Sequence, residues 1–95
     1  MTVYVLAQLT IHDRARYDRY RAGFTPVLTQ YGGRLLAADE TAQTLEGSWD
    51  YEKAVLIAFE DRAQAERWLN SPEYREISKD REAATTTVAL LLNGV

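Results

Sequence analysis

The sequence predicts a single α+β domain in which a four-stranded antiparallel sheet carries its helices on one face. Three observations lead there. Strand-like segments alternate with helical ones in the order strand, helix, strand, strand, helix, strand. Three of the strand-like segments are apolar on both of their faces. The chain has 95 residues, room for one core.

Val3 to Ile11 opens the pattern. Val3, Val5, Ala7, Leu9 and Ile11 share one face and Tyr4, Leu6, Gln8 and Thr10 the other, the period of a strand. Asp13 then stands as a helix N-cap, and Tyr17, Tyr20, Phe24, Val27, Leu28 and Tyr31 recur at helical spacing up to Gly32-Gly33. Pro26 lies inside this helix and removes the hydrogen bond to the Ala22 carbonyl, so a kink near Gly23 or an early end is expected. Gly32 supplies the left-handed stop. Arg34-Leu-Leu-Ala-Ala begins a second strand, expected to continue after a bend through Thr44-Leu45-Glu46. Gly47 to Glu52 reads as a loop, and Lys53 to Phe59 as a central strand because its apolar run is nearly unbroken. Asp61 caps a helix whose inward stripe is Ala65, Trp68 and Leu69. Ser71-Pro72 restarts helix with Ile77 and Ala84 facing inward, and Thr85 to Leu92 closes the chain as a strand. This order is that of the ferredoxin-like βαββαβ sandwich, occupying residues 1–95 as one domain.

Helices on one face leave the other face bare, yet Val3/Val5 against Tyr4/Leu6, Val55/Ile57 against Leu56/Ala58, and Val88/Leu90 against Ala89/Leu91 put apolar residues on both sides of the sheet. At about 25 cal/mol per Å², several hundred Å² of apolar surface left in water forgoes on the order of 10 kcal/mol, comparable to the stability of a small domain. A second copy packed sheet to sheet is the expected cover, giving a homodimer.

Other classes are excluded or disfavoured by composition. The chain has no cysteine, which removes disulfides, thiolate catalysis and cysteine-based metal sites and leans the protein towards the cytoplasm. The opening residues lack the basic lead of a signal peptide, and no apolar run approaches the roughly 20 residues that span a bilayer. No membrane association is expected. The net charge of −3 argues against nucleic acid as a partner, since Arg14, Arg16, Arg19 and Arg21 are interleaved with Asp13 and Asp18 as on a solvated helix face.

The pair Tyr17 and Tyr20, then Tyr31-Gly32-Gly33-Arg34, Leu45-Glu46-Gly47 before Trp49, Trp68 with Ser71-Pro72-Glu73-Tyr74, and Arg81-Glu82-Ala83-Ala84 resemble, in order and spacing, the domain-of-unknown-function family 1330. The resemblance covers nearly the whole chain. It implies the dimeric α/β-barrel arrangement, two ferredoxin-like protomers facing each other through their sheets, and it carries no settled activity or catalytic residues. The chain departs from the family at Ala38-Asp39-Glu40, where members often have a glycine pair, and at Asn93-Gly94-Val95, where Glu-Gly-Val is usual.

Among the chemically capable residues, Ser71, Pro72 and Glu73 are accounted for as a helix start. Trp68, Tyr74 and Arg81 are left over as large side chains with hydrogen-bonding tips, suited to an aromatic or carboxylate ligand and equally to a core edge. Tyr17 joins them as core or pocket lining, and Glu46, at the expected strand end, as a carboxylate aimed into the cleft between sheet and helices. His12 is the only histidine and has no companions for metal binding or nucleophilic catalysis, so no metal is expected. Asp39, Glu40, Asp50 and Glu52 lie in expected loops, where charge is ordinary. Gly32-Gly33 follows a helix and precedes a strand, the reverse of a phosphate loop. Two functions stay open. One is a domain that binds or transforms a small hydrophobic or aromatic metabolite without a bound cofactor, an analogy to enzymes of the same superfold. The other is a non-catalytic ligand-sensing or assembly module.

Overall fold

Strand β1 (Val3–Ile11) pairs antiparallel on both sides, with β3 (Lys53–Phe59) and with β4 (Thr85–Asn93), while β2 (Arg34–Asp39) adds to the free edge of β3. The sheet order is therefore β2-β3-β1-β4, with the expected Lys53–Phe59 strand in an interior position. These are the relations seen in a computed structural model describing residues 1–95. Three helices cover one face: α1 (Arg14–Gln30), α2 (Arg62–Leu69) and α3 (Pro72–Ala84). The fold is the ferredoxin-like sandwich, its second helical segment divided in two where Asn70-Ser71 interrupts it.

Side-chain parity decides what is inside. Val3, Val5 and Leu9 of β1 and Val55, Ile57 and Phe59 of β3 point to the helices and are buried against Tyr17, Tyr20, Phe24 and Leu28 of α1. Ala65 and Trp68 of α2 and Tyr74 and Ala84 of α3 complete the core. On the opposite face Val88, Leu90 and Leu92 of β4 stay 42%, 46% and 40% exposed, flanked by the half-buried Leu6 and Leu56. Trp49, from the loop after β2, donates to Gln8 of that face at 2.8 Å.

The caps match the sequence signals. The Asp13 carboxylate accepts from Arg16 N at 3.2 Å and Asp61 from Gln64 N at 2.8 Å. Helix α1 ends in a Schellman motif: Gly33 N donates to the Leu28 carbonyl at 2.9 Å and Gly32 N to that of Thr29 at 3.0 Å. Gly32 has φ +77°, the left-handed conformation this closure needs. At Gly33 space is the constraint, since a Cβ would lie 2.3 Å from Leu28 Cδ1 and 2.8 Å from Phe59 Cε1.

Two expectations are corrected. Helix α1 does not end early at Pro26 but runs on to Gln30, because Phe24 and Leu28 on either side are locked into the core. Gly23 marks a close approach of helices, with its Cβ position 3.0 Å from Ile77 Cγ2. Strand β2 stops at Asp39 and does not resume at Thr44–Glu46: the Asp39 carboxylate accepts from Thr41 N at 2.7 Å and Thr41 Oγ1 at 2.9 Å, a local turn that leads the chain off the sheet. Leu69, expected to face inward, borders the space between helices and sheet and is 38% exposed at the end of α2.

Ser71 ties α2 to α3, its hydroxyl donating to the Trp68 carbonyl at 2.8 Å and accepting from Tyr74 N at 3.1 Å, all within the buried interior. Ser71→Ala should therefore lower unfolding stability by about 0.5–2 kcal/mol. Chemical denaturation of the variant checks this, and a change within a few tenths of a kcal/mol would show that the cap is dispensable.

Candidate functional site

A row of small side chains crosses the helix-facing side of the sheet. The register pairs Ala38 with Val55, Val55 with Ala7 and Ala7 with Ala89, so four strands contribute three alanines and a valine in line. The neighbouring row, Leu35, Ile57, Val5 and Leu91, is bulky. Opposite the small row the helices present aromatic rings that pack on one another: Trp68 on Tyr74 at 4.0 Å between centroids, Tyr20 near Phe24 at 5.4 Å and Tyr17 near Tyr20 at 5.8 Å. Rings braced in this way cannot sink onto the alanines. The space left between is a mainly apolar cavity of about 420 Å³.

Four of the five site residues chosen from the sequence line this cavity: Trp68, Tyr74, Arg81 and Tyr17. Glu46 does not. It lies exposed in the loop after β2, beside a separate shallow groove with Leu45 and Trp49, because the strand expected to carry it is absent. His12 is at the surface with Nε2 2.7 Å from Thr86 Oγ1, and Glu52 accepts from Ile11 N at 3.0 Å, a tie between loop and strand.

The polar atoms around the cavity are unequally satisfied. The Trp68 ring is 1% exposed and its Nε1 has no hydrogen-bond partner. Arg81 is in the same state at Nε, with its Cζ 5.9 Å from the Tyr20 ring centroid and its nearest carboxylate, Glu82, at 4.0 Å. A buried donor left unpaired costs about 1–3 kcal/mol, so the two together are costly. By contrast the phenols of Tyr20 and Tyr74 bond each other at 3.0 Å. Burial first, and the Tyr74 hydroxyl second, hold the Tyr20 phenol well above its ordinary pKa, and burial raises that of Tyr17. Neither supplies a phenolate near neutral pH.

Sequence reasoning missed Lys53, Glu40 and Arg21, which also line the cavity. Lys53 is 5% exposed, with Nζ 4.9 Å from the Tyr17 ring centroid and 4.0 Å from Glu40 Oε2. Burial lowers its pKa, the Arg21 charge adds to this and the Glu40 charge opposes it. Glu40 is engaged elsewhere, held by Arg14 at 2.6 and 3.2 Å, and that bond keeps its carboxyl below the usual range. One signal for Lys53 was present: it is the only charge in an apolar strand, and it shares parity with the inward Val55, Ile57 and Phe59. Glu40 carried none, since its place depends on the turn after Asp39.

The cavity thus has three cationic side chains, Lys53, Arg21 and Arg81, against one carboxylate already paired, within apolar and aromatic walls. Such a lining suits a flat, largely apolar molecule with an anionic group.

Solved structures share the architecture. RPA0582, a protein of unknown function from Rhodopseudomonas palustris, aligns with 99% of this chain and 82% of its own at TM-score 0.84 and 18% identity. A dimeric ferredoxin-like protein of unknown function from Jannaschia sp. CCS1 aligns over 99% and 100% at TM-score 0.73 and 15% identity. SnoaB, a cofactor-independent oxygenase from Streptomyces nogalater, aligns over 99% and 93% at TM-score 0.71 and 14% identity. At these identities the likeness is one of fold. No curated protein matches the chain. The family described as domain of unknown function DUF1330 matches residues 2–95, and by that match, which spans almost every residue of the sandwich and its cavity, the chain belongs to DUF1330.

Proposed function

We propose that this protein binds a small hydrophobic or aromatic metabolite bearing a carboxylate or similar anion, in the cavity between sheet and helices of each protomer of a twofold dimer. The carrying observation is the lining of the cavity of about 420 Å³, apolar and aromatic walls with three cationic side chains, Lys53, Arg21 and Arg81, against one carboxylate that Arg14 already pairs. An anionic group on the ligand would pair with these cations while its apolar body meets the rings. In this reading Trp68, Tyr74 and Tyr17 offer ring faces, Arg81 meets the anion, and Glu46 takes no part. SnoaB, an oxygenase, is a precedent for small-molecule chemistry in this fold and supports the reading only as an analogy.

A non-catalytic sensor has an observation in its favour. Glu40, the one carboxylate of the lining, is committed to Arg14 and Tyr20 to Tyr74, so the cavity offers no unpaired carboxylate as a general base. Recovery of the bound ligand unchanged would favour the sensor, and recovery of a product the enzyme.

The dimer is argued from the bare face. Val88, Leu90, Leu92 and Leu36 are all more than a third exposed there, and a partner sheet is the simplest complement to a flat apolar sheet. The Jannaschia protein is described as dimeric, which agrees.

Three outcomes are expected. Aromatic carboxylates should raise the melting temperature, since a ligand that binds only the native state stabilises it; a thermal-shift screen with no hit among aromatic acids, quinones and acyl compounds would defeat the proposal. Arg81→Met should weaken an anionic aromatic ligand by about 1.5–3 kcal/mol in calorimetry while leaving the domain folded. If the variant unfolds without ligand present, Arg81 is an internal anchor instead. Light scattering at micromolar concentration should give a dimer mass, with an interface of at least about 1,200 Å²; a monomer mass sinks the assembly.

A further inference from the structure

We propose that Lys53 is the reactive amine of the cavity, condensing with the carbonyl group of a small aromatic or apolar aldehyde or ketone to form an imine. The inference rests on the cavity being a ligand site and narrows its ligand to a carbonyl compound, with Arg81 available to an anionic group at another point of the same molecule.

The geometry carries it. Lys53 opens β3, so its side chain leaves the sheet on the helix side, where it is 6% exposed and lines the cavity. Its ammonium group has no close acceptor: the Glu40 carboxylate stands at 4.0 Å, beyond hydrogen-bonding distance, and both oxygens of that carboxylate are already bonded by Arg14. Around it are the Arg14, Arg21 and Asp18 charges of α1, Glu40 of the following loop and the Tyr17 ring. A lysine kept mainly for structure would be expected to reach water or a full salt bridge. Here burial and the Arg21 charge favour the neutral amine, the nucleophilic form, against the counter-pull of Glu40.

The step balances without a redox partner. Lys53 Nζ bonds to the carbonyl carbon as the C=O π bond opens to a carbinolamine, and its two N–H protons pass to the oxygen. The C–O bond then breaks, water departs and the C=N bond is complete. Hydrolysis reverses the sequence.

The chain has only two lysines, so it contains its own control. Lys79 is exposed, bonded to Glu76 at 2.8 Å, and that bond raises its pKa. Wild-type protein is treated with 4-carboxybenzaldehyde and cyanoborohydride near neutral pH, and the reduced adducts are mapped by peptide mass spectrometry, with and without excess benzoate. The expected result is adduct formation at Lys53 severalfold faster than at Lys79, with benzoate slowing Lys53 and leaving Lys79 unchanged. Labelling of Lys79 as fast as Lys53 or faster overturns the proposal, as does labelling of Lys53 that benzoate does not slow. Thermal stabilisation by benzoate separates the two ideas: stabilisation without selective adducts removes the amine and keeps the ligand site, whereas absence of both removes the two together.

Discussion

The row Ala38, Val55, Ala7, Ala89 sets the character of this molecule. Helices over a sheet normally settle until side chains interdigitate. Here the sheet offers almost nothing to fill the middle of the interface, and the rings above are braced by one another. Contact is completed elsewhere, as where Gly33 lies so close to Leu28 and Phe59 that it has no room for a side chain. The cavity lies between the small row and the braced rings.

That space is also where the fold spends stability. Lys53 and Arg81 are removed from bulk water with incomplete pairing, and Trp68 keeps an unbonded N–H. A leucine or phenylalanine at these positions would pack without such cost. The caps show the same chain satisfying its polar groups carefully: Asp13, Asp61 and Ser71 each accept a backbone N–H at a helix start. Two of the four unpaired buried atoms belong to cavity residues, Trp68 and Arg81, and the other two, Ser78 Oγ and Glu73 Oε1, to α3. Costly polar groups gathered at a concave site are the usual mark of binding rather than of architecture.

Much of this was legible from residue types alone. Alternation gave the strands, Asp13, Asp61 and Ser71-Pro72 the helix starts, Gly32 a helix stop, and the double-sided apolar strands a bare sheet face. Trp68, Tyr74, Arg81 and Tyr17 were recognisable as candidates because large polar-tipped aromatics and an inward arginine are poor core fillers. What stayed hidden depends on register. Ala7 and Ala89 are unremarkable in their own strands, and only the pairing of β1 with β4 sets them side by side. Glu46 was misplaced for the same reason, since a side-chain bond from Asp39 to Thr41 outweighed the strand pattern beyond it. Lys53 heads a run of apolar residues that reads as core, although parity already placed it inside.

Strand β1 is one residue thick, and its two sides meet different surroundings. Val5, Ala7 and Leu9 floor the cavity, while Leu6 and Gln8 lie on the bare face, where Trp49 is fastened to Gln8. Consecutive positions therefore answer to separate selective demands, one for what fits inside and one for what rests against the sheet. A lineage can enlarge or polarise the chamber through odd-numbered positions without disturbing the even-numbered surface, and can remodel that surface without changing the chamber. Such independence at single-residue resolution gives a small domain a means of acquiring new ligands while keeping its assembly.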